Sequence, residues 1–104
     1  MEMTYTVQVK VPLGIRHGKM RLQINNGIIA GELELLGSVE KVEGVLSKNG
    51  TIRLNGNLAS PIRCIPFKGT GTMKDGAIHM KLVHGEADYQ LTGNLSDGKG
   101  ENKV

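Results

Sequence analysis

Residues 19–35, KMRLQINNGIIAGELEL, decide the fold of this chain. Met20, Leu22 and Ile24 alternate with Arg21, Gln23 and Asn25, and after Asn26-Gly27 the alternation resumes in Ile29, Gly31, Leu33 and Leu35. A period of two sends alternate side chains to opposite faces of an extended strand, so each arm has one apolar face. Asn-Gly suits a two-residue type I′ hairpin, in which both central residues take positive φ. That turn sets Ile24 against Ile29 and Met20 against Leu33 inside, with Arg21 against Glu32 and Lys19 against Glu34 outside. Two opposite-charge pairs on the outer face support the register.

Residues 68–84, KGTGTMKDGAIHMKLVH, repeat the plan around Asp75-Gly76. At an offset of 49, Pro12 falls on Pro61, Lys19 on Lys68, Gly27 on Gly76, Ile29 on Ile78, Leu33 on Leu82, Gly44 on Gly93, Leu46 on Leu95 and Ser47 on Ser96, without a gap. Eight identities between 4–47 and 53–96 are about three times the roughly one-in-sixteen level of ordinary composition. We read an internal duplication, repeat 1 over about 4–47 and repeat 2 over about 53–96.

The same alternation marks eight strands: 5–11, 19–25, 29–35, 42–46, 52–58, 65–73, 78–82 and 87–95. Between 46 and 52 a three-residue loop, Lys48 to Gly50, keeps Leu46 opposite Ile52. Leu35, Val39, Val42 and Leu46 also recur at helical spacing, but Gly37 and Gly44 would each cost about 1 kcal/mol inside a helix. The strand reading therefore stands. Eight antiparallel strands joined by hairpins hide their edges by closing, which predicts an all-β up-and-down meander shut into a small barrel over 1–96. A two-sheet sandwich is the alternative. Residues 97–104 are polar and Gly-bearing, and are expected to form a disordered tail.

Gly31, Gly44, Gly56, Gly69, Gly71 and Gly93 occupy inward positions. They either hollow the barrel for a ligand or make room for bulk opposite. The hairpin registers favour the second: Leu22 faces Gly31, Leu54 faces Gly44, Val42 faces Gly56, Leu82 faces Gly69 and Met80 faces Gly71. Large against small fills a core to native density.

Composition narrows the functional classes. A net charge of +3, from 13 basic and 10 acidic side chains mixed along the chain, marks no polyanion surface. Tyr5, Phe67 and Tyr89 are the only aromatics, too few for the stacking platforms of single-strand binders, so nucleic acid is not an expected partner. Cys64 is the sole cysteine, the first residues lack a signal-peptide pattern, and no apolar run is long enough for a membrane span. These features point to a cytoplasmic protein with no membrane partner.

The end of the barrel opposite the Asx-Gly turns is expected to carry longer loops, 12–18, 36–41, 59–65 and 83–86. Ligand-binding candidates gather there: Arg16, His17, Arg63, Cys64 and His84, with Tyr89 the inward aromatic of the last strand. Arg16 and Arg63 would suit a small anionic ligand. His17, Cys64 and His84 lack metal-ligand spacing, and no third group orients Cys64 and His84 as nucleophile and base. No catalytic residue, metal or cofactor is assigned. Ile28, Ala30 and Val45 form an outward apolar set that would serve a homodimer or another protein partner.

The absence of Trp sets the chain apart from the avidin and lipocalin barrels. Its doubled pattern, Val11-Pro12-Leu13-Gly14 through Gly27 and Ser60-Pro61-Ile62-Arg63 through Gly76, resembles small bacterial duplicated β-domains of uncharacterised role associated with flavin-dependent oxidoreductases of anaerobes. Arg63 stands where the second copy should have Gly. The resemblance covers 4–96, transfers no catalytic residue, and implies a cytoplasmic accessory domain. The expected function is a non-catalytic binding or protein-interaction module, with an anionic-ligand barrel or small cyclase or isomerase as the alternative.

Overall fold

The computed structural model describes residues 2–11, 14–35, 37–60 and 63–96, with the side chains of 59, 60 and 63 left aside. The tail expected at 97–104 lies outside the described residues. Eight antiparallel strands follow in chain order: β1 (Glu2–Val11), β2 (Gly14–Asn25), β3 (Ile28–Leu35), β4 (Ser38–Leu46), β5 (Thr51–Ser60), β6 (Arg63–Lys74), β7 (Ala77–His84) and β8 (Ala87–Leu95). Each pairs with the next, and β8 pairs with β1 to close the barrel. Of the residues whose apolar spacing resembled a helix, Leu35 ends β3 and Val39, Val42 and Leu46 lie on β4.

Turn chemistry sets the registers as expected. Asn26 and Asp75 take φ of 53° and 55°, and Gly27 and Gly76 follow at 79° and 78°. Ile24 stands opposite Ile29 and Arg21 opposite Glu32. Gly50 has φ 92° and closes the three-residue loop that sets Leu46 opposite Ile52. The Arg21 guanidinium bridges two carboxylates, at 3.2 Å to Glu32 and 3.6 Å to Glu34. Lys19 is opposite Glu34 in register, yet it is Arg21 on the diagonal that binds it.

The two halves match strand for strand. β1 and β5, β2 and β6, β3 and β7, and β4 and β8 each begin and end 49 residues apart. Their seams differ: Leu46 pairs with Ile52 at one, so Leu95 would meet Met3 at the other, but it meets Tyr5. A path along paired residues runs Asn25, Ile28, Val45, Arg53, Thr70, Lys81, Gln90, Lys10 and reaches β2 again at Ile15, ten residues from its start. That stagger accompanies the strand tilt that a closed barrel requires.

The interior is filled. Tyr5, Met20, Leu22, Ile29, Leu54, Phe67, Met80 and Leu82 are among sixteen buried apolar residues, and no buried polar or charged residue is found among those described. Gly31 faces Leu22 and Gly71 faces Met80. A Cβ on Gly31 would collide with the Arg21 carbonyl, and one on Gly71 with the His79 carbonyl. The halves exchange these sizes: Leu22 and Gly31 correspond to Gly71 and Met80, while Val7 and Gly18 correspond to Gly56 and Phe67. Each cross-strand pair keeps one large member and one glycine, which conserves core volume while permuting its source.

Candidate functional site

The end opposite the Asx-Gly turns is built from strand rather than from long loops. β2 begins at Gly14, so Arg16 and His17 lie inside it, opposite Val9 and Gln8. Arg63 and Cys64 open β6, opposite Ser60 and Ala59. His84 ends β7. The expectation of loops fails there for a physical reason. The β2–β3 ladder stops at Gly18 opposite Leu35, and the β6–β7 ladder stops at Lys68 opposite Val83. Beyond those points β2 pairs with β1 alone and β6 with β5 alone, so each runs on as an edge strand on which nothing enforces apolar alternation.

The fold keeps the candidates on β2 apart from those on β6 and β7. Arg16 and His17 are exposed on β2, whereas Arg63 and Cys64 belong to β6, four strands round the ring. Successive residues face opposite sides, so Arg16 shares the inner side with Val9 while His17 shares the outer side with Gln8. Cys64 is an exposed free thiol. Tyr89 is half-buried opposite Leu82 and packs against the core. Among the described residues, no three of His, Cys, Asp and Glu come close enough to hold a metal ion.

Among the candidates whose side chains are described, only His84 has a defined polar partner. Its Nδ1 lies 2.8 Å from the Pro66 carbonyl oxygen. A carbonyl only accepts, so Nδ1 carries a proton and donates it. Pro66 lies just past the last β6–β7 pair. The imidazole therefore supplies a hydrogen bond where the ladder has ended, and Pro, which has no N–H to give, is tolerated at that edge.

Around this contact lies a groove of about 670 Å³ on the outer wall, spanning four strands and lined by Lys41, Glu43, Asn57, Lys68, Val83 and His84 among others. Of the ligand-binding candidates, only His84 lines it. The rest come from four separate segments, and no spacing along the chain brings them together.

Two further surfaces complete the picture. On the outer face of β3 and β4, Ile28 and Val45 stand directly opposite each other, 61% and 46% exposed, with Ala30 two residues on. At the Asx-Gly end, Met3, Ile24, Leu46 and Met73 surround a recess of about 410 Å³ over Tyr5. Tyr5 is fully buried, its hydroxyl has no hydrogen-bond partner, and burial pushes its pKa above the ordinary 10.0. Among the described residues no helix is long and apolar enough to cross a membrane. Comparison with family models, with curated proteins and with solved structures finds no match to this chain.

Proposed function

We propose that the protein is a non-catalytic interaction module that meets its partner through its outer wall. The observation that supports this most is the packed interior: sixteen apolar side chains occupy the space in which a hollow barrel would hold a substrate. Arg16 and His17 stand on β2, four strands round the ring from Arg63 and Cys64 on β6. What the molecule offers outside is an aliphatic cross-strand pair, Ile28 and Val45, extended by Ala30 and flanked by Arg21, Glu32 and Glu43. An apolar centre with a charged rim is the usual anatomy of a protein contact.

In this reading the partner is a second copy or an enzyme subunit, of the flavin-dependent oxidoreductase type that the resemblance implies. A cytoplasmic location accords with an exposed, unpaired Cys64. The test replaces both aliphatics, Ile28→Lys with Val45→Lys, and compares variant and wild type in sedimentation and in affinity capture from native lysate. Loss of self-association, or of one defined captured protein, is expected with an unchanged melting profile. Identical behaviour of the two proteins would remove this face from the proposal.

A further inference from the structure

The seam between β4 and β5 is zipped at one end only. Its ladder runs from Leu46 opposite Ile52 to Glu43 opposite Asn55 and stops there, although β4 extends back to Ser38 and β5 on to Ser60. The Ser47 amide donates to the Thr51 carbonyl at 2.9 Å, so by alternation Val45 with Arg53 and Glu43 with Asn55 are the hydrogen-bonded pairs. The same alternation turns the main-chain N–H and C=O of Asn57 and Ala59 toward β4, and those of Lys41 and Val39 toward β5. No ladder joins them. Pro66, opposite Asn57, has no N–H to exchange, which agrees with the main-chain groups of Asn57 pointing away from β6. In the other seam the residues equivalent to Asn57 and Ala59 are Gln8 and Lys10, and they are paired with Thr92 and Gln90.

The groove of about 670 Å³ opens over this split: Lys41 and Glu43 form one lip, Asn55 to Asn57 the other, and buried Phe67 belongs to its lining. A free strand edge recruits another strand unless charge, proline or a bulge blunts it. On β4 the charges of Glu40 and Lys41 do so, whereas residues 55–60 on β5, Asn-Gly-Asn-Leu-Ala-Ser, carry neither charge nor proline. We propose that the split takes an extended segment of a partner protein as an added strand on β5, acidic at the side chain that faces outward beside Lys41 and apolar at those that face inward. In strand addition of this kind main-chain bonds give affinity and alternate side chains give specificity. The acidic preference follows from Lys41: its cross-strand neighbour Glu32 is held by Arg21 at 3.2 Å, and among the described residues Lys41 has no ion pair. The apolar preference follows from buried Val42 and half-buried Leu58, which flank the inward side. This assignment deepens the interaction-module reading without using Ile28 or Val45, so the two are tested apart.

The probe is the acetylated, amidated peptide Thr-Val-Asp-Val-Thr, which presents its Asp at the same place in either chain direction, with Thr-Val-Lys-Val-Thr as the comparator. Amide NMR shifts of the wild type should saturate with the acidic peptide and be largest at Lys41 and Asn57. The comparator should bind about fivefold more weakly, the worth of one exposed charge contact. Lys41→Glu should reverse that order. Asn57→Pro removes an N–H that the β5–β6 ladder does not use, so the strand is kept and binding of the acidic peptide should fall about tenfold or more. Lys41→Glu, on an exposed side chain, carries the test by itself if Asn57→Pro does not fold. Ile28→Lys with Val45→Lys should bind the peptide as the wild type does, which separates this site from the aliphatic contact. The proposal is overturned by a wild type without saturable shifts, by shifts centred away from the split, by a preference unchanged in Lys41→Glu, or by full binding in a folded Asn57→Pro.

Discussion

Tyr5 shows how much one position gives away in the sequence and how much it withholds. Its alternation with Thr4 and Thr6 assigns it inward, and inward it lies. That its hydroxyl lacks a partner depends on what stands across the barrel, which no local pattern encodes. In the ligand-free protein, Tyr5→Phe removes an unpartnered dipole and keeps the ring. Stability should rise by about 1 kcal/mol, seen as a higher urea midpoint at unchanged slope. The pH dependence carries a sign. Above the ordinary phenol value of 10.0 the unfolded chain releases the Tyr5 proton while the folded chain retains it. The unfolded state then binds fewer protons, so wild-type stability falls as pH climbs past about 10. Urea curves on either side of that pH should show a smaller fall for Tyr5→Phe. An equal fall in both would show that the phenol titrates alike in the two states.

Hairpins were the most legible elements. Asn26-Gly27, Asp75-Gly76 and the loop ending at Gly50 fixed three pairings that the structure repeats residue for residue. Strand limits at the other end were not legible. Arg16, His17, Arg63 and Cys64 read as loop because polar and apolar residues stop alternating there, yet the backbone ladder continues past the rim. Main-chain pairing needs no apolar face, whereas a sequence pattern reports only the burial of a face. The edge geometry has a measurable result. Met20 to Gln23 are flanked by both β1 and β3, while Ile15 to His17 have β1 alone. Amide exchange should be about tenfold or more faster at Ile15 to His17 than at Met20 to Gln23. Uniform protection along β2 would mean that the edge is covered.

For the molecule as a whole, the offset of 49 was visible, but only eight identities carried it. The reason is the exchange of sizes between halves: Leu22 against Gly71 and Gly31 against Met80 count as mismatches in an alignment, although together they preserve the core. The exchange predicts strong coupling. Met80→Gly alone empties a buried site, at a cost of about 3 kcal/mol or more. Gly71→Leu alone drives a side chain into the His79 carbonyl. Together they restore the arrangement of the first half, and the double variant should recover about 1–3 kcal/mol relative to the sum of the singles. Additive losses in a denaturation cycle would show that the two positions do not share one volume. The candidate site was the least legible feature, since the groove around His84 draws on four segments, from β4 to β7, that no local pattern brings together.

The closing ladder between β8 and β1, with the Ser96 amide donating to the Thr4 carbonyl at 2.6 Å, makes the wall continuous. A continuous wall has no privileged first strand. Covalent order then becomes a label laid over a ring: a gene joined across that ladder and reopened at the Lys48 to Gly50 loop would write a circularly permuted chain with the same eight neighbours.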